Sequence, residues 1–213
     1  MGRTALQNAA ERLLMKSKQK DLVMQITDRE LTFHLYATQI VLLTSAIILG
    51  IFLYDDISTF INQFVWNRQI LVYGAGSGMA IVLLDLLFMK VLPKKYYDDG
   101  GINERIFRNR SVMHIFFLAA VISVCEELLF RGVIQYHFGF ITATVIFAVV
   151  HIRYWGNWFL VINIVLLSTW IGLVYEWTAN LAVTMVMHFV IDFLLGLTIK
   201  YQAENQEKRR DVL

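Results

Sequence analysis

One cysteine, Cys125, and one proline, Pro93, are all that 213 residues contain of either type. The lone thiol excludes an intramolecular disulfide and leaves no CxxC pair for a zinc knuckle or a dithiol redox site, so Cys125 reads as packing. With so little proline and only twelve glycines there is no Pro-rich or flexible linker, and no repeat of solenoid length occurs. Charge is scarce as well. Asp, Glu, Lys and Arg make up 17% of the chain, against about 25% in soluble domains. A net charge of +2 with no interleaved basic and aromatic patch offers nucleic acid no footprint. What is present is apolar: 57% hydrophobic and 14% aromatic residues, with a mean hydropathy of +0.56. The expected class is a polytopic membrane protein with the lipid bilayer as its solvent.

The first thirty residues mix Arg3, Arg12, Lys16, Lys18, Lys20 and Arg29 with acids and lack the apolar core and small-residue cleavage site of a signal peptide. Leu6, Leu13, Leu14, Leu22, Val23 and Ile26 outline an amphipathic helix suited to the inner membrane surface, and a solvated extension fits residues 1–33 equally well. Spanning takes about 20 mostly apolar residues. Six stretches approach that length, 34–54, 69–92, 111–135, 138–153, 157–175 and 180–199, the fourth being the shortest. Lipid offers the backbone no hydrogen-bond partner and the pattern lacks the alternation of a barrel, so the expected fold is all-α, a polytopic bundle of about six transmembrane helices.

Basic residues set the orientation, because Lys and Arg accumulate in cytoplasmic loops. All but two of the 19 fall on one side: six in the N-terminal segment, Lys90 to Arg110 in the second loop, Arg153, and Lys200 to Arg210. Arg68 lies opposite and Arg131 is within a helix. The chain is expected in the cell membrane with both termini cytosolic. Leu92-Pro93 and the turn Asp98-Asp99-Gly100-Gly101 divide it: 34–110 holds two helices and a basic cytosolic loop, 111–200 a four-helix core, and 201–213 a cytosolic tail. Gly74 and Gly78 form a GxxxG spacing that allows close helix contact.

The chemistry is confined to the second unit. Glu126, Glu127 and Arg131 lie in sequence otherwise apolar enough for lipid, where each ionised residue near the centre of a helix costs roughly 2.5 to 3.5 kcal/mol. Glu127 and Arg131 are four apart and share a helix face, while Glu126 points about 100° away. Phe147 with His151 and His188 with Asp192 repeat the four-residue spacing. At 1.5 Å per residue Glu126, His151 and His188 lie about 13, 20 and 12 Å from the outer ends of their helices, a common level from which they can converge on one cavity. Such a cavity permits hydrolysis, with a carboxylate as general base and imidazoles sharing the water, binding a metal or donating to an oxyanion. Ser123 and Cys125 lie near the glutamates without a histidine or Gly-rich elbow beside them, and HExxH is absent.

Glu126-Glu127-Leu-Leu-Phe-Arg131, Phe147-Ala-Val-Val-His151 and His188-Phe-Val-Ile-Asp192 are similar, in order and separation, to the EExxxR, FxxxH and HxxxN/D motifs of the CPBP family of intramembrane proteases. The resemblance covers roughly 111–200. It implies an intramembrane endopeptidase, often described as a metalloprotease, acting on a peptide or lipid-modified protein presented at the membrane. Carried over, Glu126 and His151 activate water, His188 and Asp192 stabilise the oxyanion, and Glu127 with Arg131 holds the site in shape. Glu126, His151 and His188 would supply three ligands of a catalytic zinc and leave one position open; metal-free hydrolysis fits the same residues. A membrane scaffold or bacteriocin-immunity protein using the cavity to bind a partner is the alternative. A proton-coupled transporter would call for inverted repeats or broken helices, and neither is evident. Asp85, His34, His114 and His137 read as packing or interfacial groups, and Trp66, Trp155, Trp158 and Trp177 as an aromatic belt.

Overall fold

The computed structural model describes residues 25–211; the expected amphipathic segment lies almost wholly outside them. Helix α1 (Asp28–Leu53) opens on a capping box. Thr27 Oγ1 accepts from the Glu30 N–H at 3.2 Å and Glu30 Oε2 accepts from the Thr27 N–H at 2.6 Å, which satisfies two N–H groups that a helix start otherwise leaves orphaned. A short helix α2 (Ile57–Ile61), capped by Asp56, leads into α3 (Ile70–Val91), whose first residues, Ile70–Ala75, are π-wound. Leu92 turns extended ahead of Pro93 and ends α3, as the steric demand of a following proline requires. Helix α4 (Ile102–Phe107) is short, and its Ile102, Ile106 and Phe107 are buried against Leu31 and Leu35 of α1 and against Ile115, Leu118 and Phe193 further along the chain.

Helix α5 (Val112–Phe138) is capped by Ser111 and changes winding within its length, α-helical over Val112–Glu127 and π-helical over Leu128–Gln135. After Gly139, at φ 84, come α6 (Phe140–Val150), α7 (Trp158–Thr178) and α8 (Leu181–Asp211). Among the described residues there is no strand. The protein is an all-α, multi-pass membrane bundle. Among the described residues five helices, α1, α3, α5, α7 and α8, are long and apolar enough to cross a membrane.

The expected fourth span, 138–153, is a helix of 11 residues, about 16 Å long and half the hydrocarbon thickness of roughly 30 Å. At its end His151 leaves helical geometry, at φ −80 and ψ 48, and its ring bonds the Phe147 carbonyl from Nδ1 at 2.6 Å. That carbonyl is the one a continuing helix would pair with the N–H of residue 151. The turn Ile152–Tyr154 and the residues up to Asn157 complete the return. Asn157 Nδ2 donates to the carbonyls of Lys95, Tyr96 and Asp98 at 3.1, 2.8 and 3.3 Å, so α7 begins at the face where α3 ends. At the other face the Leu181 N–H donates to the Gln63 carbonyl at 2.7 Å, and the Asn180 side chain bonds both backbone groups of Val65. Chain direction therefore alternates through all six segments, although one is half length. The face that carries the starts of α1 and α5 and the segment 92–111 is the basic face.

Helices α3 and α8 approach backbone to backbone. A Cβ on Gly74 would lie 2.9 Å from the Val183 carbonyl oxygen, and one on Gly78 would lie 2.8 Å from that of Met187. Such contact draws on dispersion, the attraction that remains when lipid tails are as apolar as side chains. Beside it Val82, Ile171, Val174, Val183, Met187 and Ile191 form a core shared by α3, α7 and α8. Gly78→Val is expected to lower stability by about 1–3 kcal/mol through overpacking. Gly50→Ala, whose Cβ meets nothing nearer than 3.9 Å, should leave unfolding in detergent unchanged; equal unfolding midpoints for both variants would contradict the close α3–α8 contact.

Candidate active site

The α-wound part of α5 ends on two adjacent acids, which face different partners because neighbours on a helix point about 100° apart. Glu127 is fully buried; its Oε1 accepts from His188 Nδ1 on α8 at 2.9 Å, and its Oε2 lies 3.4 Å from Arg131 Nε. Close as this ion pair is, it is not aligned as a hydrogen bond, and Arg131 Nε and Glu127 Oε2 have no hydrogen-bond partner. The guanidinium donates elsewhere. Its Nη2 reaches the Ser168 carbonyl and hydroxyl at 3.2 and 3.1 Å, Nη1 reaches Gln135 Oε1 at 3.4 Å, and the group lies 5.3 Å from the centre of the Phe147 ring. Gln135 Nε2 continues to the Gly172 carbonyl and to Glu176 at 2.9 and 2.8 Å. This polar chain ties α5 to α7, and His188 ties it to α8.

Glu126 faces the other way. Its Oε2 lies 3.9 Å from His151 Nε2 and 4.0 Å from His188 Nε2, beyond a direct hydrogen bond and within the span that one shared water can bridge. A carbonyl oxygen only accepts, so the bond from His151 to Phe147 places the proton on Nδ1 and turns Nε2 toward Glu126 as an acceptor. His188 likewise has its Nδ1–H on the Glu127 carboxylate, and its Nε2 faces Glu126. Asp192 Oδ2 stands 3.6 Å from that Nε2. Three carboxylates thus surround the His188 ring, the charge environment an imidazolium needs. The Phe147 ring packs on the His151 ring at 4.5 Å and on Phe130 at 4.9 Å, which fixes the imidazole's tilt.

All six residues read from the sequence, Glu126, Glu127, Arg131, His151, His188 and Asp192, are gathered here by α5, α8 and the end of α6. Ser123 is not poised as a nucleophile, since its hydroxyl donates to the Ala120 carbonyl at 3.1 Å. The zinc arrangement is not formed. Among the described residues no three His, Cys, Asp or Glu side chains are grouped to hold a metal ion. The 3.9 and 4.0 Å separations from Glu126 exceed the roughly 3.4 Å edge of a tetrahedron with zinc bonds near 2.0–2.1 Å.

Five residues escape a reading by motif. Ser168 and Gln135 hold Arg131, and only their polarity inside apolar helices marks them. Arg153, counted as a loop charge, lies within electrostatic range of Asp99, Glu126 and Asp192. Its guanidinium sits 4.5 Å from the Tyr154 ring centre and donates to the Tyr154 hydroxyl at 2.5 Å. Tyr154 in turn lies parallel to the His151 ring at 6.0 Å. Burial pushes the Asp99 carboxyl above its ordinary range against the pull of Arg153, while its oxygens accept from the Gly101 and Asn103 N–H groups. Segment 95–103 is thereby held beside the site.

Residues 108–194, which include every one of these motif positions, match the family described as type II CAAX prenyl endopeptidase, Rce1-like. An uncharacterised protein of Bacillus subtilis, YpbD, is 40% identical over 172 residues, covering 80% of this chain and 91% of the relative. The chain belongs to the CPBP family. No solved structure matches it. The match extends well beyond the 111–200 stretch on which the motifs lie.

Removing one partner of a buried pair leaves the other charge uncompensated, at about 3–5 kcal/mol. Arg131→Met is therefore expected to lower the unfolding midpoint in detergent sharply, and the added change Glu127→Gln to recover part of the loss. A double variant no more stable than the single one would show that Arg131 acts through Ser168 and Gln135 alone.

Proposed function

We propose that the chain is an intramembrane endopeptidase that hydrolyses a peptide bond with a water activated by Glu126 and His151, without a metal. The observation that carries this reading is the placement of one buried carboxylate oxygen 3.9 and 4.0 Å from two imidazole Nε2 atoms whose Nδ1 positions are already engaged. A water held between Glu126 and His151 gives a proton to the carboxylate as its oxygen attacks the carbonyl carbon. The carbonyl oxygen becomes an oxyanion and receives the Nε2–H of a protonated His188, which Glu127 orients and Asp192 balances. On collapse the C–N bond breaks and the proton on Glu126 passes to the leaving amine, restoring the base. Arg131 takes no part in bond making; it keeps Glu127 ionised and in place.

Membership in the CPBP family supports a protease of the CAAX type, and the match to a type II CAAX prenyl endopeptidase description supports a substrate presented at the membrane. A peptide or lipid-modified protein at the basic face fits best, because Asp192 is the most open member of the site and segment 95–103 of that face adjoins it. The distribution of Lys and Arg favours a cytosolic basic face, with both termini on that side.

Glu126→Gln removes the base and His151→Ala its partner; each is expected to reduce turnover by about 10² to 10⁴. The measurement is quantitative mass spectrometry of membrane-derived peptides from cells producing the wild type or each variant at equal membrane levels. Peptides produced equally in all three would sink the mechanism and favour the partner-binding alternative. Cleavage of a peptide identified in that comparison should persist after exhaustive chelation of the purified protein. Loss of cleavage on chelation, restored by zinc, would overturn the metal-free step while leaving the protease reading intact.

A further inference from the structure

At the basic face, away from the catalytic cluster, an open cavity of about 310 Å³ lies between the first turn of α1 and the segment joining α4 to α5. Asp28, Arg29, Thr32, Arg105, Asn109 and Arg110 line it. Two of the three arginines are set in place by the fold. Arg110 donates from Nε to the Ile106 carbonyl at 2.7 Å and from Nη2 to Thr32 Oγ1, while Arg105 donates from Nε to Asp28 at 2.8 Å and from Nη2 to the Ile26 carbonyl at 2.6 Å. Charge is left over. Asp28, the one acid of the lining, already serves Arg105 and lies 3.7 Å from Arg108, and Arg29 has no protein partner among the described residues.

Depth identifies the kind of anion. Phe33, the residue after Thr32, is 68% exposed, and Met113, three residues after Arg110, is 63% exposed. These are among the first lipid-facing side chains of α1 and α5, so the cavity sits at the level where headgroup phosphates lie. Basic pockets between helices at that level hold anionic headgroups, and a fixed arginine fork suits the geometry of phosphate oxygens.

We propose that this cavity binds the phosphate group of an anionic phospholipid, with Arg29 and Arg110 as its ligands, Arg105 as a fixed positive wall and Asn109 as a neutral hydrogen-bonding one. The bound headgroup neutralises the excess positive charge at the junction of α1, α4 and α5 and so fastens the start of α1 to the helix that carries Glu126 and Glu127. The inference is independent of the catalytic reading, since neither the residues nor the readout touches the site.

The test is native mass spectrometry and thermal unfolding of the full chain in a neutral detergent, with added phosphatidylglycerol, phosphatidylcholine or inorganic phosphate. The wild type should retain one phosphatidylglycerol and unfold at a higher temperature with it. Arg110→Gln and Arg29→Gln should each bind it about fivefold more weakly, and Lys94→Gln, a charge on the same face outside the cavity, should bind it as the wild type does. Arg29 makes no contact that folding depends on, so its variant keeps the test decisive if Arg110→Gln fails to fold. Equal retention by Arg29→Gln and the wild type, or an equal effect of phosphatidylcholine, would overturn the proposal. Stabilisation by inorganic phosphate alone, matching that by phosphatidylglycerol, would replace the lipid with a free phosphate and overturn it likewise.

Discussion

The buried contact of Glu127 with Arg131 and His188 is the constraint on which the rest of the site depends. An ionised carboxylate with no exposure cannot be left alone in a membrane bundle, and here its two oxygens answer to two different elements, α5 itself and α8. Each partner is committed in turn, the guanidinium to Ser168 and Gln135 and the imidazole to a single orientation. The consequence is pre-organisation: His188 presents Nε2 to Glu126 and Asp192 because Nδ1 is engaged. The same contact fixes the rotation of α5, which points Glu126 at His151.

Winding matters to this arrangement as much as charge does. Directly after the two acids α5 passes from α to π over Leu128–Gln135, and π turns of this kind recur at functional sites. The wider turn carries Arg131 and Gln135 toward α7, where Ser168 and Gly172 supply carbonyl acceptors. The apolar residues of the same segment, Phe130, Val133 and Ile134, pack with Phe147, Ala143 and Ile164 of α6 and α7. One stretch of helix therefore serves both the polar chain and the core that supports the FxxxH motif.

The parts of this molecule that follow from local sequence are legible in it. Apolar length outlines five long helices, the Leu92-Pro93 stop is written in the residues themselves, and GxxxG marks the α3–α8 contact. The six motif residues stand out because each is costly in lipid. What is not legible depends on contacts between distant segments. Apolar length marks 138–153 as one segment, yet the helix ends at Val150, where His151 leaves helical geometry and its ring bonds the Phe147 carbonyl. Ser168, Gln135 and Arg153 are unremarkable polar residues until the fold sets them against Arg131 or beside Glu126. Spacing pairs Glu127 with Arg131, but only the packing of α5 on α8 shows that Glu127 also bonds His188, a contact between residues 61 positions apart.

Hydrolysis within a bilayer poses a physical conflict, since the acids must be shielded for the fold and reached by water for the reaction. The side chains resolve it by grading their exposure: none for Glu127 and Arg131, 10% for Glu126, 15% for His151 and 27% for Asp192. The fully enclosed pair carries the structural charge, where water would compete for its contacts. The graded members are those to which the proposed reaction assigns the water and the oxyanion. The turn Ile152–Tyr154 that follows the half-length α6 sets Arg153 within electrostatic range of Glu126, Asp192 and Asp99. The early end of α6 thus leaves the His151 ring, anchored by its bond to the Phe147 carbonyl, partly exposed and turned toward Glu126.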